Sequence, residues 1–491
     1  MSNQTKSFLR SASVYTALNF LPAGFSLVIT PLFTNHLKGT EEYGLIILAN
    51  FFFALFAMFI GLGFDSAYGI KFFHYNKNQD KQDSLLTTVI FLMVLSFLAL
   101  TVVVYFFGSY FFSQLVKNPS FTFSNFGLFT LGMGLATVTN ALMLSYYRNV
   151  NNLKLYSFQA LAMAVVPTLS QVICIFYVSN TARAVVATRS LTSLLAVFPF
   201  VFLFIRDKGF RIHKEFLKPI FRLSLPFFFY GIIIFLFENV DRLLVEKNFT
   251  EVNALSIYGL AVTFAALGEM VRASMASALS PMVFNVMANE NEEAKINRLY
   301  RLFITVILVL ISLALLVIEP VFTLVIKNHD FSQSLQYIPF LFLALLPKVY
   351  YSIYQLPLSY YGRVKILPFI NLISLLCGLA CFYSTLPYLH LYAVIFSLFI
   401  SRTLQATFTF FYLKKIKNVY RHREVEFTKE TFLVIICMVV IGLGSVLYTK
   451  HYIPFWAIGF STCIVAGSVG LKTYQAEVSK FFKGLRRVSF H

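Results

Sequence analysis

The chain has 491 residues, 58% of them hydrophobic and 12% charged, with 58 phenylalanines and a mean hydropathy of +0.74. This composition is far outside the range of soluble globular domains and reads as an integral membrane protein. The formal net charge of +19 raises nucleic acid as a partner, but the position of the basic residues decides against it.

No hydrophilic stretch is long enough for a separate soluble domain. The N-terminus has no short apolar region followed by a small-residue cleavage site, so the first apolar segment is expected to be a retained span. A bilayer core of about 30 Å needs about 20 apolar residues of helix. Runs of that kind lie near 14–36, 44–65, 85–112, 125–147, 155–178, 182–205, 224–246, 254–287, 302–326, 335–358, 364–385, 391–413, 431–449 and 453–471. The runs are continuous rather than alternating, which predicts an α-helical bundle and not a barrel. Prolines at 22, 167, 226, 320, 347 and 357 interrupt spans and are expected kink points, those in spans 1 and 7 serving as hinges.

With Met1 on the cytoplasmic side, 29 of the 40 Lys and Arg fall in inside segments and only Lys38, Lys117, Arg183, Lys247, Lys327 and Lys450 in outside loops. The basicity is thus a matter of topology, with both termini cytoplasmic; attraction to anionic membrane lipids follows from it. All five cysteines fall inside spans and all eight histidines in loops, span ends or the tail. Small apolar packing is the reading for the cysteines. With no intramembrane His as general base and no large outer loop, catalysis is disfavoured and no metal or cofactor is expected.

The chain repeats itself. Leu21-Pro22 recurs as Leu225-Pro226, "EEYG" (Glu41 to Gly44) as "SIYG" (Ser256 to Gly259), "SYYRN" (Ser145 to Asn149) as "SYYGR" (Ser359 to Arg363), and "TRSL" (Thr188 to Leu191) as "SRTL" (Ser401 to Leu404). Tyr43 to Tyr146 is 103 residues and Tyr258 to Tyr360 is 102; Tyr146 to Arg189 is 43 and Tyr360 to Arg402 is 42. The apolar runs predict an all-α protein of about 14 transmembrane helices, and matches in one order at nearly constant spacing predict a repeated half. Two six-helix lobes, residues 1–212 and 213–418, are expected to be related by a pseudo-two-fold along the membrane normal. Two further helices and a basic cytoplasmic tail follow in 419–491.

On "TPLFTNHLKGTEEYGL" (Thr30 to Leu45), "GLGFDSAYGIKFF" (Gly61 to Phe73), "YYRNVNNLKLYS" (Tyr146 to Ser157), "FLKPIFRLSLPFF" (Phe216 to Phe228) and "DRLLVEKNFTEVNALSIYGLA" (Asp241 to Ala261), the chain resembles the polysaccharide transporter family. These are Wzx-type flippases of lipid-linked oligosaccharides, in the superfamily that includes MATE exporters. Lys71 stands where related sequences often have Arg. The resemblance implies a bundle in the bacterial cytoplasmic membrane that moves an undecaprenyl-diphosphate-linked glycan from the inner to the outer leaflet, with polysaccharide polymerase and chain-length proteins as partners. It does not give the sugar.

Five cations lie within spans: Arg189, Arg242, Arg272, Lys348 and Arg402. By helical rise Lys348 sits roughly 20 Å and Arg402 roughly 16 Å below the outer ends of their spans, near the midplane. A basic residue there costs about 2.5–3.5 kcal/mol to insert, so each should face a water-filled cavity or a partner. One reading makes Arg189 and Arg402 structural, bonded to carbonyls or to an acid of a neighbouring helix. The other makes them a pair, one on each lobe, clamping a diphosphate with forked donors, with Lys348 and Arg272 in support. Glu238 and Arg242 stand at i, i+4 in the order that favours pairing, leaving Asp241 over. Glu238, Asp241 and Arg242 are then either an outer-gate ion-pair network or the place where a coupling Na⁺ or H⁺ binds. Glu269 and Arg272, at i, i+3, form a second pair, structural or coupling. Asp65 reads as a solvated rim residue within reach of Lys71.

The excess of buried cations favours an anionic passenger. A MATE-like exporter of organic cations would want an acid-dominated cavity, a membrane enzyme of glycan assembly a catalytic His or a large loop, and a scaffold would leave the repeat without purpose.

Overall fold

The computed structural model of the chain describes residues 18, 24–26, 28–75, 78–249, 251, 253–288, 293–415, 428–450 and 452–466. Among these residues there is no strand. The helices, in order, are α1 (described over 24–26 and 28–36), α2 (Thr40–Gly61), α3 (Phe64–His74), α4 (Gln79–Leu115), α5 (Leu128–Asn149), α6 (Leu153–Ile173), α7 (Ala182–Lys208) and α8 (Lys214–Asn248). There follow α9 (Ala254–Ala288), α10 (Glu293–Val325), α11 (Ser334–Tyr360), α12 (Leu367–Leu389), α13 (Leu391–Lys415), α14 (Thr428–Thr449) and α15 (Phe455–Ala466).

Among the described residues, eleven spans are long and apolar enough to cross a membrane, α2 and α3 counting as one. They match the second to twelfth apolar runs. The first run lies partly outside the described residues, and the last two correspond to the shorter apolar stretches of α14 and α15. Several helices begin earlier than the apolar run inside them: α8 starts at Lys214 and α4 at Gln79, where runs begin near 224 and 85. Hydropathy marks the oily length alone, whereas backbone hydrogen bonding continues into a charged first turn that water can solvate. Polar caps mark the starts of α4 and α6: Asn78 Oδ1 accepts from the Lys81 N–H at 3.0 Å and Asn152 Oδ1 from the Leu155 N–H at 3.1 Å, each satisfying an orphan donor.

The motif "GLGFD" is a helix break. Leu62 closes α2 at φ 43°, its N–H bonded to the Met58 carbonyl. Gly63 follows at φ +72°, and a Cβ there would lie 2.7 Å from the Ser224 carbonyl. Only glycine combines that conformation with so close an approach. The chain restarts as α3 at Phe64.

By packing, the chain divides into two compact units, Met1–Gly259 and Leu260–His491. In the first, α3 to α8 surround a core of Tyr68, Phe72, Leu86, Met143, Phe200 and Phe216, among others. Above it, Phe52, Phe112, Phe121 and Phe126 form a run of stacked rings, successive centroids 4.5, 5.5 and 4.6 Å apart. The repeat counts α8 with the second lobe, but α8 packs on α2 and α3 and so belongs to the first compact unit. Its neighbour α4 turns Leu98, Val102, Phe106 and Tyr110 outward, an apolar surface suited to lipid. In the second unit α11 and α12 pack on α13, and α14 on α11. Most of α11 is buried, which places Lys348, 7% exposed, in the interior of that unit.

Candidate functional site

Near the C-terminal end of α8 the sequence pairing is corrected. Arg242 does not bond the Glu238 carboxylate: its Nη1 donates to Asp241 Oδ1 at 3.1 Å, to Asn239 Oδ1 at 3.0 Å and to the Glu238 backbone carbonyl at 3.2 Å. Asp241, 4% exposed, is therefore the paired acid. Its second oxygen accepts from the Tyr258 hydroxyl at 2.7 Å, so that both carboxylate oxygens are engaged and α8 is tied to α9. Tyr258 belongs to the repeated "YG" motif, and the two copies of that motif meet here. A Cβ on Gly44 would lie 2.7 Å from Ser256 Oγ, and one on Gly259 2.7 Å from Ile47 Cγ1. Ser256 Oγ donates to the Thr40 carbonyl at 2.6 Å. Absent side chains thus let α2 and α9 cross in close contact. At the same end the Asn118 N–H donates to Glu246 Oε1 at 2.9 Å.

In the second unit Glu269, Arg272 and Lys348 come together. Arg272 Nε donates to Glu269 Oε2 at 2.9 Å and its Nη2 bonds Oε1, while Lys348 Nζ lies 3.0 Å from Glu269 Oε1. Arg272 Nη1 also donates to Ser352 Oγ, which donates to the Lys348 carbonyl at 2.9 Å. The expected i, i+3 pair is present, enlarged by a lysine from α11. One carboxylate holds two cations, and the three side chains sum to +1.

The repeat-related arginines have unlike surroundings. Arg189 on α7 donates from Nη1 to Asn50 Oδ1 of α2 at 2.9 Å, and its guanidinium lies 5.5 Å from the centre of the Phe53 ring, a cation–π distance. Among the described residues no carboxylate pairs with it. Arg402 on α13 donates from Nη1 to the Ala344 carbonyl of α11 at 3.3 Å. Arg189 thus links α7 to α2 and Arg402 links α13 to α11.

Composition did not find the buried Asp83. Its Oδ1 accepts from the Tyr146 hydroxyl at 2.9 Å and from Gln79 Nε2 at 3.3 Å, and Lys208 Nζ lies 3.3 Å from Oδ2. It precedes the apolar run of its helix, where hydropathy does not single it out. The signal was Tyr146 in the repeated "SYY" motif, a phenol in need of an acceptor. Asp65 is exposed and makes no ion pair with Lys71. All five cysteines are free thiols.

Comparison with solved structures places this architecture. The chain is similar to the lipid II flippase MurJ in an inward closed conformation (TM-score 0.67, 18% identity, 94% of this chain and 99% of that one). It is also similar to a multidrug resistance MATE family transporter of the MOP superfamily in its inward-facing conformation (TM-score 0.65, 14% identity, 83% and 96%), and to a MATE structure in the straight conformation (TM-score 0.58, 14% identity, 84% and 96%). At these identities the likeness is one of fold. Comparison with curated proteins by sequence gives no match. The polysaccharide biosynthesis protein family matches residues 8–287, more than half of the chain and including the repeated motifs of the first lobe together with "SIYG", Asp241 and Glu269. The chain belongs to the polysaccharide biosynthesis protein family.

Proposed function

We propose that this protein is a flippase that carries an undecaprenyl-diphosphate-linked oligosaccharide from the inner to the outer leaflet of a bacterial cytoplasmic membrane by alternating access. Transport draws on a Na⁺ or H⁺ gradient, and the exported unit passes to polysaccharide polymerase and chain-length proteins. The observation that carries this reading is the convergence of Arg272 and Lys348 on the single carboxylate of Glu269. Two cations share one acid, so the cluster carries a net positive charge for which a diphosphate can compete with the carboxylate. Arg189, whose one side-chain hydrogen bond among the described residues is to a neutral amide, supports the same preference for an anion. Membership of the polysaccharide biosynthesis protein family agrees with a glycan as cargo.

The test is reconstitution in proteoliposomes with undecaprenyl-diphosphate-linked glycans, with and without Na⁺ and pH gradients. Lipid-linked sugar should cross from one leaflet to the other, one of the two gradients should accelerate it, and Arg272→Gln should slow it about tenfold or more, a charge-assisted contact being worth about 1.5–3 kcal/mol. Arg272→Lys, which keeps the charge, should be less damaging. Failure to move any polyprenyl-linked sugar overturns the reading.

A further inference from the structure

A half-open cavity of about 530 Å³ lies within the first unit, lined by residues of α2, α3, α4, α5 and α8. Its shape follows from the helix break at "GLGFD": Gly63 lets α3 start against the Ser224 carbonyl, and Gly231 faces the end of the Met58 side chain, 2.7 Å from where a Cβ would be. The break brings Asp65 and Ser66, in the first turn of α3, to the wall of the cavity. Phe227, Phe228 and Tyr230 of α8 supply aromatic surface opposite. The Asp65 carboxylate, the Ser66 hydroxyl and the Tyr230 hydroxyl make no hydrogen bond or ion pair to a described residue, so three polar groups in one cavity remain available to a ligand. Among the described residues no lysine or arginine lines it.

We propose that this cavity binds an uncharged sugar ring of the cargo. The inference rests on the flippase reading and adds where the glycan lies and what kind of glycan it is. Aromatic side chains offer flat apolar surface to the C–H face of a pyranose, and a carboxylate and hydroxyls accept and donate hydrogen bonds at its rim. The volume is that of a small-molecule site, about 300–1,000 Å³. Charge excludes the other end of the cargo: with an acid and, among the described residues, no cation in its lining, the cavity repels a diphosphate. The same carboxylate disfavours uronic acids and so selects neutral sugars.

The experiment uses the full chain in nanodiscs with Ser66→Cys, thiol labelling at that position being followed by mass spectrometry. The probes are N,N′-diacetylchitobiose, lactose and methyl mannoside as free neutral sugars, with inorganic pyrophosphate and tetraphenylphosphonium as contrasts. At least one neutral sugar should slow labelling several-fold at millimolar concentration and pyrophosphate should not. Adding Asp65→Asn should raise the half-protecting sugar concentration about tenfold, and Tyr230→Phe should raise it less, a second arm should Asp65→Asn fail to fold. Protection by tetraphenylphosphonium alone, by pyrophosphate alone, or by none of the sugars overturns the proposal. Because free sugars need no lipid and no transport, the result stands apart from the proteoliposome assay: sugar protection without flipping defeats the flippase reading alone, and flipping without protection defeats the sugar site alone.

Discussion

At the scale of single residues, the cluster around Glu269 gives the sharpest expectation. Glu269→Gln leaves Lys348, 7% exposed, and Arg272 facing each other without the shared carboxylate. Breaking a buried pair by removing one partner costs about 3–5 kcal/mol; the carboxyl side chain here is 33% exposed, so partial solvation reduces this to about 2–3 kcal/mol. The variant should unfold at lower temperature in detergent and bind undecaprenyl diphosphate more tightly, since two cations lose their internal competitor. A variant as stable as the parent would show that the carboxylate does not hold the cluster. The Asp241 site gives a different expectation. Both of its oxygens are engaged, by Arg242 and Tyr258, so a coupling ion would have to displace both. Asp241→Asn should therefore keep the gradient dependence of transport, while labelling of Ser66→Cys from the outer side becomes faster as the link from α8 to α9 weakens. Loss of gradient dependence would make Asp241 the coupling site instead. The sequence named these ionisable residues from their positions in apolar runs. It did not name their partners, because whether Arg242 turns to Glu238 or Asp241 depends on rotamers and on a tyrosine 17 residues away, which helical spacing does not encode.

At the scale of helices, close crossings depend on what is absent. Gly44→Ala would put a Cβ 2.7 Å from Ser256 Oγ and force that hydroxyl off the Thr40 carbonyl. Overpacking of this kind costs about 1–3 kcal/mol. Gly44→Ala combined with Ser256→Ala should recover part of the loss in a thermal unfolding measurement, whereas equal loss in the single and double variants would place the strain elsewhere. Gly459 makes a firmer case: the backbone of Leu316 on α10 occupies the space of a Cβ there, and backbone cannot swing aside as a side chain can. Gly459→Ala should detach α15 from α10, read as new protease sensitivity between α14 and α15 with the first unit intact. Existence and order of the helices were legible, because apolar length alone makes a span. Their starts were not, since a charged first turn is helical without being oily. The repeat pointed to Gly44 and Gly259 as equivalent positions, but not to their meeting, because sequence periodicity says nothing of which helices cross.

At the scale of the whole molecule, the orientation in the membrane decides the direction of any transport. The sparsely basic loops meet at one end of the first unit: the Lys38 N–H donates to the Asn180 carbonyl at 3.0 Å, and Glu41, Lys117, Asn118, Glu246 and Glu251 line a common cleft. The richly basic segments meet elsewhere, where Thr87 Oγ1 donates to the Arg211 carbonyl at 2.6 Å and Lys208 pairs with Asp83. The asymmetry read from the sequence is therefore a separation in space, and the rule that basic loops stay in the cytoplasm orients it. Cysteine at Asn118, Asn180 or His329 should react in intact cells with a membrane-impermeant thiol reagent. At Asn78, or at Asn291 and Asn418, which lie outside the described residues, it should react only after permeabilisation. Asn180 and His329 are exposed, so a change there removes little packing, and Asn78, also exposed, gives up its cap on the Lys81 N–H. Asn118 gives up only a turn hydrogen bond from the Ser120 N–H and keeps its own N–H on Glu246. Reversed labelling at these positions would turn the protein over in the membrane. It would then place the Asp241–Tyr258 link at the cytoplasmic face and make the proposed cargo travel inward, which no route of surface glycan export could use.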